Sequence, residues 1–373
     1  MRIAITSITD SGILRVRSEL IKELLMLGHK VIVVTPQVTD YRILIEMGCD
    51  FFPINIQAHG TNPVKDLKVF NKYMKIYKQI KPDVVLSCTI KPNVYSGLAC
   101  QLLKIPYIAT VNGIGDAIFN KGFLGFVTLN LLRMGLRKGS FVFFQNTKNK
   151  KLLVEHGVVT EDKTVMVPGS GINIQLNPYE DYPKEDRLIT LTFIGRVSRD
   201  KGIREIVEAG HTLKNKGHDF IINIVGNCPD SFRPMITKAE QEGIVNYIGK
   251  VEHSAIHGIL AKSHAVLLPS YHEGIANVLL EGGAAGRPIL ASFAEGCEET
   301  FDDGISGIGF EPQNVDSLVK ALERFFKMTN VERKKMGIAA HKKVVTEFDR
   351  SIVNAAYIDK IYLIERRKAN VII

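Results

Sequence analysis

Two patterns of apolar and polar positions alternate along the chain. Short apolar runs bounded by Gly, Pro or polar residues predict buried strands, and longer stretches with apolar residues three or four apart predict helices. The first half has strand-like runs at Ile3–Thr6, Val31–Thr35, Phe51–Ile54, Val84–Ser87, Pro106–Val111, Phe141–Gln145 and Val165–Pro168. The second half has them at Leu191–Ile194, Phe220–Val225, Asn246–Ile248, Ala265–Leu268 and Pro288–Ala291. The predicted helices include Arg17–Leu27, Val64–Ile80, Gly202–Gly210 and Asp349–Arg367. This alternation indicates α/β domains with parallel sheets.

The length of the chain favours two domains. A chain of 373 residues exceeds what one typical core supports. The segment Pro178–Lys184 is polar and bracketed by prolines, which predicts a linker. We therefore expect an N-terminal domain over residues 1–178, a C-terminal domain over residues 185–348 and a final helix over residues 349–373.

Two glutamates stand eight positions apart after the predicted strand Ala265–Leu268. Glu273 precedes a glycine at the strand-to-helix turn, and a helix starting after Gly274 would place Glu281 about two turns further on. The amides of Gly274 to Asn277 would then be unpaired donors that can bind an anion. The alternative is a helix with an acidic first turn and a solvated glutamate.

A second motif follows the predicted strand Leu191–Ile194. Gly195 lets the chain turn, Arg196 offers a planar guanidinium to phosphate oxygens, and Lys201 offers a mobile charge. Ligands of open α/β sheets bind at the carboxyl ends of strands. Both motifs occupy such positions, which favours a nucleotide-sugar site.

At these residues the chain resembles the retaining glycosyltransferases of family 4. The resemblance implies the glycosyltransferase B architecture, in which two Rossmann-like domains face a cleft and the last helix crosses back to the first domain. It implies that Arg196 and Lys201 hold the donor diphosphate, that Glu281 holds the ribose and that Glu273 contacts the donor sugar. Arg196, Lys201 and Glu273 are thus the catalytic candidates. The other expected donor-binding residues are Gly171, Gly195, Gly274, Ile275, Ala276, Asn277 and Val278.

Three segments of the first half resemble the branch that builds bacterial capsule, O-antigen and lipid-linked oligosaccharides. They are Ile90–Asn93, Val111–Gly115 and Pro168–Asn173. The resemblance implies that Gly171 approaches the donor phosphates. It places Asn112 and Gly113 near the transferred sugar, and Lys91 and Asn93 near the acceptor. Lys91 and Asn93 can alternatively be helix-start residues with only local bonds. Many members of the family carry a histidine near the second segment, where this chain has Asn112 and Gly113.

The charge is concentrated in the first half of the chain. Residues 1–180 hold 22 Lys and Arg against 13 Asp and Glu, whereas residues 181–373 hold 26 of each. Lys65, Lys68, Lys72 and Lys75 share one helix face. With the aromatic residues around Phe119–Phe126, this charge favours an anionic membrane surface and a membrane-bound acceptor, although solvated lysines and core phenylalanines explain each patch alone. No nucleic-acid-binding module is present.

Other features of the composition favour a cytoplasmic protein peripheral to the inner face of the membrane. The five cysteines have no Cys-x-x-Cys spacing and predict reduced thiols rather than disulfides or a zinc site. No run approaches the roughly 20 apolar residues that span a bilayer.

The expected reaction is transfer from a UDP-sugar to a polyprenyl-diphosphate-linked sugar. The chain contains no Asp-x-Asp, so we expect neither a metal nor another cofactor. Retention of configuration and the UDP-sugar follow from the resemblance alone. The alternatives are a UDP-GlcNAc 2-epimerase of the same architecture, a transferase with a soluble acceptor, and a non-catalytic nucleotide-sugar sensor.

Overall fold

The computed structural model of the protein describes residues 1–37, 41–56, 63–112, 123–184 and 188–371. The chain forms two compact units. Unit 1 comprises Met1–Gly169 and Ser351–Ile373, and unit 2 comprises Ser170–Arg350. Each unit is built around its own sheet, with helices between the successive strands.

The described residues of unit 1 form a seven-stranded parallel sheet in the order β3-β2-β1-β4-β5-β6-β7. Its strands are β1 (Arg2–Thr6), β2 (Lys30–Thr35), β3 (Asp50–Pro53), β4 (Val84–Cys88), β5 (Tyr107–Val111), β6 (Phe141–Phe144) and β7 (Thr164–Met166). Its helices are α1 (Asp10–Met26), α2 (Tyr41–Glu46), α3 (Pro63–Ile80), α4 (Ile90–Leu103), α5 (Phe123–Leu136) and α6 (Thr147–Glu155). Every residue of the central strands β4 and β5 is buried, as expected for strands covered on both faces.

Unit 2 contains, within its described residues, a six-stranded parallel sheet in the order β10-β9-β8-β11-β12-β13. Its strands are β8 (Ile189–Ile194), β9 (Phe220–Val225), β10 (Val245–Gly249), β11 (Ala265–Leu268), β12 (Ile289–Ser292) and β13 (Gly307–Phe310). Its helices are α7 (Ile203–Asn215), α8 (Arg233–Gln241), α9 (His253–Ala261), α10 (Asn277–Ala284), α11 (Val315–Lys327) and α12 (Asn330–Glu347). The two-unit parallel α/β fold expected from the alternating pattern is confirmed.

The last helix, α13 (Arg350–Val371), packs on the sheet of unit 1. The ring of Tyr357 stacks on Phe143 with centroids 4.2 Å apart. The Tyr357 hydroxyl lies 2.5 Å from Thr110 Oγ1 and accepts a hydrogen bond from Arg17 Nη2 at 2.7 Å. These contacts fix the helix against the centre of the sheet.

The segment between the two sheets is not a free linker, because it packs on unit 2. The Tyr182 hydroxyl donates to the carbonyl oxygen of His264 at 2.8 Å. The guanidinium of Arg287, which is fully buried, donates to the carbonyl oxygen of Glu180 at 2.7 Å. These bonds satisfy backbone groups of the polar segment Pro178–Lys184 and attach it to the second sheet.

The hydrophobic pattern does not predict β13. Gly307 and Gly309 have low strand propensity, yet the strand requires them. A Cβ atom at Gly307 would lie 2.3 Å from the Ile289 carbonyl oxygen, and one at Gly309 would lie 2.2 Å from the Phe293 ring. Helix α1 also begins seven residues before the predicted Arg17, where Thr9 Oγ1 accepts a hydrogen bond from the amide of Gly12 at 3.0 Å.

The five cysteines are free thiols, and all of them are buried. Across the described ranges, no helix combines the length and apolar character needed to cross a membrane.

Candidate active site

Both donor motifs lie where the strand order of the second sheet reverses, between β8 and β11. The first motif follows β8 and the second follows β11, so the two loops emerge from adjacent strand ends. The amide of Tyr271 donates to the carbonyl oxygen of Asp200 at 2.9 Å, which joins the loops. Such a reversal opens a crevice at the carboxyl edge of a parallel sheet, where ligands bind.

The two loops share an ion pair at this position. The Lys201 ammonium group donates to Oε1 of Glu273, and Ser270 Oγ donates to the same oxygen at 2.8 Å. The Lys201 and Glu273 side chains are only 17% and 18% exposed. Burying a charge costs free energy unless the charge is paired. The carboxylate of Glu273 therefore lets the Lys201 ammonium group remain charged where it is largely shielded from solvent. A cation so placed can stabilise the charge of a leaving diphosphate.

Two glycines bring the neighbouring backbone close to this pair. Gly202 has φ +70°, and a Cβ atom there would lie 2.2 Å from the Pro269 carbonyl oxygen. Gly296 has φ +77°, and its Cβ atom would lie 2.5 Å from the Glu273 carbonyl oxygen. The amide of Glu273 donates to the carbonyl oxygen of Glu295 at 2.8 Å. The loop after β12 therefore sets the position of Glu273.

Helix α10 begins later than the sequence predicts. It starts at Asn277 rather than directly after Gly274, because the amide of Ala276 donates to the Gly296 carbonyl oxygen at 2.7 Å. The expectation of unpaired amides from Gly274 onward is therefore wrong for Ala276. Asn277 and Val278 are the first two residues of α10. The N–H groups of a first helical turn have no acceptor within the helix, so these two amides can bind an anion.

Glu281 lies one helical turn into α10 and is only 5% exposed. Its Oε1 atom is 3.8 Å from Nε2 of His253, which is the first residue of α9. A solvated glutamate, the alternative left open by the sequence, does not match this burial. A buried carboxylate at this point can accept hydrogen bonds from two adjacent hydroxyls.

Arg196 is the exposed member of the site. Its side chain is 72% exposed, and Nη2 lies 3.5 Å from Oδ2 of Asp200. Burial alone would raise the pKa of Asp200, but the hydrogen bond from Ser198 and the charges of Lys201 and Arg196 together lower it. The surroundings of this loop are therefore cationic.

The sequence predicts Gly171 in the first domain, because that domain was expected to run to residue 178. The structure instead places Gly171 in unit 2. It has φ +68°, and its carbonyl oxygen accepts a hydrogen bond from Arg350 Nη2 at 3.1 Å. Its neighbour Ile172 packs with Ile275 and Leu280. Gly171 is thus adjacent in sequence to the apolar cluster beneath α10.

Sequence reasoning missed Ser270, Gly296 and Cys297. Ser270 lies three residues before Glu273 and its hydroxyl donates to the Glu273 carboxylate, a contact that the sequence spacing alone does not specify. Gly296 and Cys297 lie in the loop after β12, far from both motifs in the sequence, so no local pattern identifies them as part of the site. Burial, and then the charge of Glu273, raise the pKa of the Cys297 thiol and keep it neutral.

The first-half candidates lie at the carboxyl ends of β4 and β5. Lys91 Nζ is 3.2 Å from Oδ1 of Asp66. Asn93 is 1% exposed, its Nδ2 donates to the Thr110 carbonyl oxygen at 2.8 Å, and its Oδ1 accepts from Ser87 Oγ at 2.8 Å. Lys91 and Asn93 are thus bonded to α3 and β5 as well as near the helix start, so the alternative of only local bonds is wrong. A role of either residue in acceptor binding stays a prediction.

Asn112 follows β5 directly. Its Oδ1 atom is buried, and among the described residues it has no hydrogen-bond partner. A buried acceptor atom without a donor is a place that a ligand hydroxyl can fill. Gly113 lies outside the described residues. The roles of both toward the transferred sugar stay predictions.

Two protein-family models match consecutive parts of the chain. The model described as "Glycosyl transferase 4-like" matches residues 6–146, and the model described as "Glycosyl transferases group 1" matches residues 179–343. The chain belongs to this family of glycosyltransferases. Membership favours the transferase over the epimerase and the sensor that the sequence left open.

Several known proteins resemble this transferase along most of their length. The N,N'-diacetylbacillosaminyl-diphospho-undecaprenol alpha-1,3-N-acetylgalactosaminyltransferase of Campylobacter jejuni is 26% identical over 97% of this chain and 98% of the relative. The capsular polysaccharide biosynthesis glycosyltransferase CapM of Staphylococcus aureus is 22% identical over 77% of this chain and 78% of the relative.

Solved structures establish the fold of the transferase. A glycosyltransferase from Rickettsia africae matches with a TM-score of 0.80 and 20% identity, covering 97% of this chain and 98% of that one. Anabaena HepE in complex with UDP-glucose matches with a TM-score of 0.78 and 17% identity, covering 97% and 99%. The fold is that of the glycosyltransferase B enzymes, as the sequence resemblance implied.

Within the described parts of the transferase, no three His, Cys, Asp or Glu side chains form a group that could hold a metal ion.

Proposed function

We propose that the enzyme transfers a sugar from a UDP-sugar to a polyprenyl-diphosphate-linked sugar at the cytoplasmic membrane surface of a bacterium, with retention of configuration and without a metal. The observation that carries the donor half is the Lys201–Glu273 ion pair at the strand reversal of unit 2. The acceptor half is supported by similarity over 97% of the chain to a transferase whose name states a diphospho-undecaprenol acceptor.

The donor diphosphate is held by cations and amides in this proposal. Lys201 supplies a mostly buried charge, and the amides of Asn277 and Val278 supply the positive end of α10. Arg196 is exposed, and its contact to Asp200 is a weak surface pair, so it can turn toward the phosphates when the donor binds. Together these groups replace the charge that a metal ion would provide.

The acceptor hydroxyl oxygen forms a bond to the anomeric carbon while the bond from that carbon to the diphosphate oxygen breaks. The leaving phosphate oxygen takes the acceptor proton on the same face of the sugar, which retains the configuration. Glu273 has its Oε1 atom engaged by Lys201 and Ser270, so its part is to hold Lys201 and contact the sugar rather than to attack. Catalysis then depends on stabilising the departing charge.

The test is transfer of labelled sugar from a panel of UDP-sugars into butanol-extractable lipid. The assay uses membranes that carry polyprenyl-diphosphate sugars, with and without EDTA, and the product anomer is determined by NMR. Label in lipid that persists in EDTA, with the donor's configuration kept, supports the proposal. Transfer that EDTA abolishes contradicts metal independence, an inverted anomer contradicts retention, and label only in water-soluble products contradicts the lipid acceptor.

A further inference from the structure

Tyr271 joins the two loops of the candidate site by its side chain as well as by its backbone. It lies three residues after the end of β11 and two residues before Glu273. Its hydroxyl donates to Oε1 of Glu205, on the first turn of α7, at 2.7 Å. Its amide donates to the Asp200 carbonyl oxygen at 2.9 Å. The loop after β11 is therefore bonded to the segment after β8 through both parts of this residue.

The two bonds of Tyr271 flank Lys201. Asp200 directly precedes Lys201 in the sequence, and Glu205 follows it by four residues. Tyr271 itself stands close in sequence to Glu273, the partner of Lys201 in the ion pair. A shift of one loop past the other, which would carry Lys201 away from Glu273, would have to break both bonds of Tyr271.

The phenol of Tyr271 is a hydrogen-bond donor at neutral pH. Burial, followed by the bond to Glu205 and the charge of that carboxylate, raises the pKa of Tyr271 to about 12, and the positive charge of Arg199 opposes this shift. A hydrogen bond from a phenol to a carboxylate is charge-assisted, so it is stronger than a bond between two neutral groups.

The carboxylate of Glu205 is held in this place at a cost in folding free energy. Its second oxygen, Oε2, is buried and has no hydrogen-bond partner among the described residues. A buried acceptor without a donor destabilises the folded state. Such a cost is expected where function, rather than stability, requires the group.

The proposed reaction needs Lys201 to be in place before the diphosphate departs. A lysine side chain is flexible, and a charge stabilises a departing anion best when it is already positioned. We propose that Tyr271 is a positioning residue for sugar transfer, whose bond to Glu205 fixes the loop of Lys201 so that the ammonium group stays beside the departing diphosphate. The inference rests on the proposed function, because it takes Lys201 as the cation at that step.

Tyr271→Phe tests this role because it removes only the hydroxyl group. Glu205→Met removes the acceptor instead, whereas Glu205→Gln keeps an oxygen that can accept from the phenol. Tyr182→Phe is the matched control. The Tyr182 hydroxyl also donates a hydrogen bond, to the carbonyl oxygen of His264 at 2.8 Å. His264 directly precedes β11, so this bond lies at the opposite end of the strand from Tyr271.

Tyr271→Phe and Glu205→Met should each lower kcat by about tenfold or more, as expected when one hydrogen bond to a charged group is lost. KM for the UDP-sugar should change by less than about threefold, because the lost interaction acts on the transition state. Glu205→Gln should keep most of the wild-type kcat, and Tyr182→Phe should keep all of it.

Double variants with Lys201→Met separate positioning from a general structural effect. If Tyr271 acts through Lys201, adding Tyr271→Phe to Lys201→Met should lower kcat no further. A structural role that is independent of Lys201 would lower kcat by the same factor in both backgrounds, and that result would overturn the inference.

Three other results also count against it. An unchanged kcat of Tyr271→Phe, or an equal loss in Tyr182→Phe, overturns the positioning role and leaves the proposed function intact. A Lys201→Met enzyme as fast as wild type overturns it too, since the role requires Lys201. Wild-type enzyme that transfers sugar from none of the UDP-sugars overturns the proposed function and the inference together.

Discussion

The ammonium group of Lys201 bonds the carboxylate of Glu273 although the two residues are 72 positions apart in the sequence. The pair joins the loops after two adjacent strands, and in the proposed reaction it holds a cation beside the departing diphosphate. Replacing Lys201 with Met removes the charge and keeps most of the side-chain length. We expect kcat for sugar transfer to fall by about 100-fold or more, as found when one stabilising group of a developing anion is removed.

The matched control for this variant is Lys216→Met. Lys216 pairs with Glu323 at 2.8 Å on the surface of unit 2, where such pairs contribute little. Steady-state kinetics with varied UDP-sugar should show near-normal turnover for the control. A Lys201→Met enzyme that turns over as fast as the control would refute the role of Lys201 in departure of the diphosphate.

Glycine at position 296 is predicted to be necessary for the placement of Glu273. The variant Gly296→Ala puts a Cβ atom 2.5 Å from the Glu273 carbonyl oxygen, in addition to the cost of φ +77°. Gly217 is the control, because it has φ +82° but nothing within 4 Å of its Cβ position. We expect Gly217→Ala to cost about 1–2 kcal/mol of unfolding free energy with normal kcat.

Gly296→Ala should cost more unfolding free energy than this control, and it should also lower kcat. Urea unfolding and transfer kinetics on both variants check the prediction. If the two variants lose equal unfolding free energy and both keep wild-type kcat, the close approach of Gly296 to Glu273 is not needed for catalysis.

The sequence predicted the candidate site best where polar and charged residues directly follow a predicted strand. The runs ending at Ile194 and Leu268 predicted both strands, and parallel topology brings their loops together. The sequence could not show that Lys201 would bond Glu273, because that contact depends on the order of strands in the sheet. It also could not show which amides remain free, since the Gly296 carbonyl that occupies the Ala276 amide comes from another loop.

Local patterns also failed where tertiary packing overrides propensity. The strand at Gly307–Phe310 has two glycines because neighbouring atoms leave no room for side chains. The proline-bracketed segment at 178–184 resembles a linker in composition. In the structure, however, the carbonyl oxygens of Glu180 and Asp181 accept hydrogen bonds from the buried Arg287. In both cases the deciding partner is more than ten residues away, so no local rule detects it.

Buried tyrosines predict loss of stability at alkaline pH. Burial raises the pKa of Tyr73, Tyr77, Tyr107 and Tyr182 above the ordinary value. Because the unfolded state loses these protons near pH 10 and the folded state keeps them, their stabilising contribution is full below about pH 10 and is lost above it. Urea midpoints should therefore fall as the pH rises through this range, and tyrosinate absorbance should appear together with unfolding.

Tyr73→Phe tests the assignment for one residue. It removes a titrating group together with a hydrogen bond to Thr6 Oγ1 of 2.7 Å, so the variant should be less stable at neutral pH. Its unfolding free energy should then fall less steeply above pH 10, by up to about 1.4 kcal/mol per pH unit, which is the contribution of one proton. A slope identical to that of the wild type would show that Tyr73 ionises alike in both states.

Glu281 is predicted to recognise the hydroxyls of the donor ribose. The substitution Glu281→Gln keeps the volume of this 5% exposed side chain and removes its charge. Loss of hydrogen bonds to a charged group should raise KM for the UDP-sugar by about 10- to 100-fold. Glu242→Gln is the control, because Glu242 lies at the exposed end of α8 and should leave KM unchanged.

A 2'-deoxyribose donor separates ribose recognition from a general effect of the variant. Wild-type enzyme should bind this donor more weakly than the normal one, whereas Glu281→Gln should distinguish the two donors much less, since the hydroxyl and the carboxylate form one interaction. His253 lies 3.8 Å from the carboxylate, so His253→Gln should give a smaller change in KM than Glu281→Gln. If Glu281→Gln discriminates between the donors as strongly as wild type, Glu281 does not bind the ribose and the donor site must be reassigned.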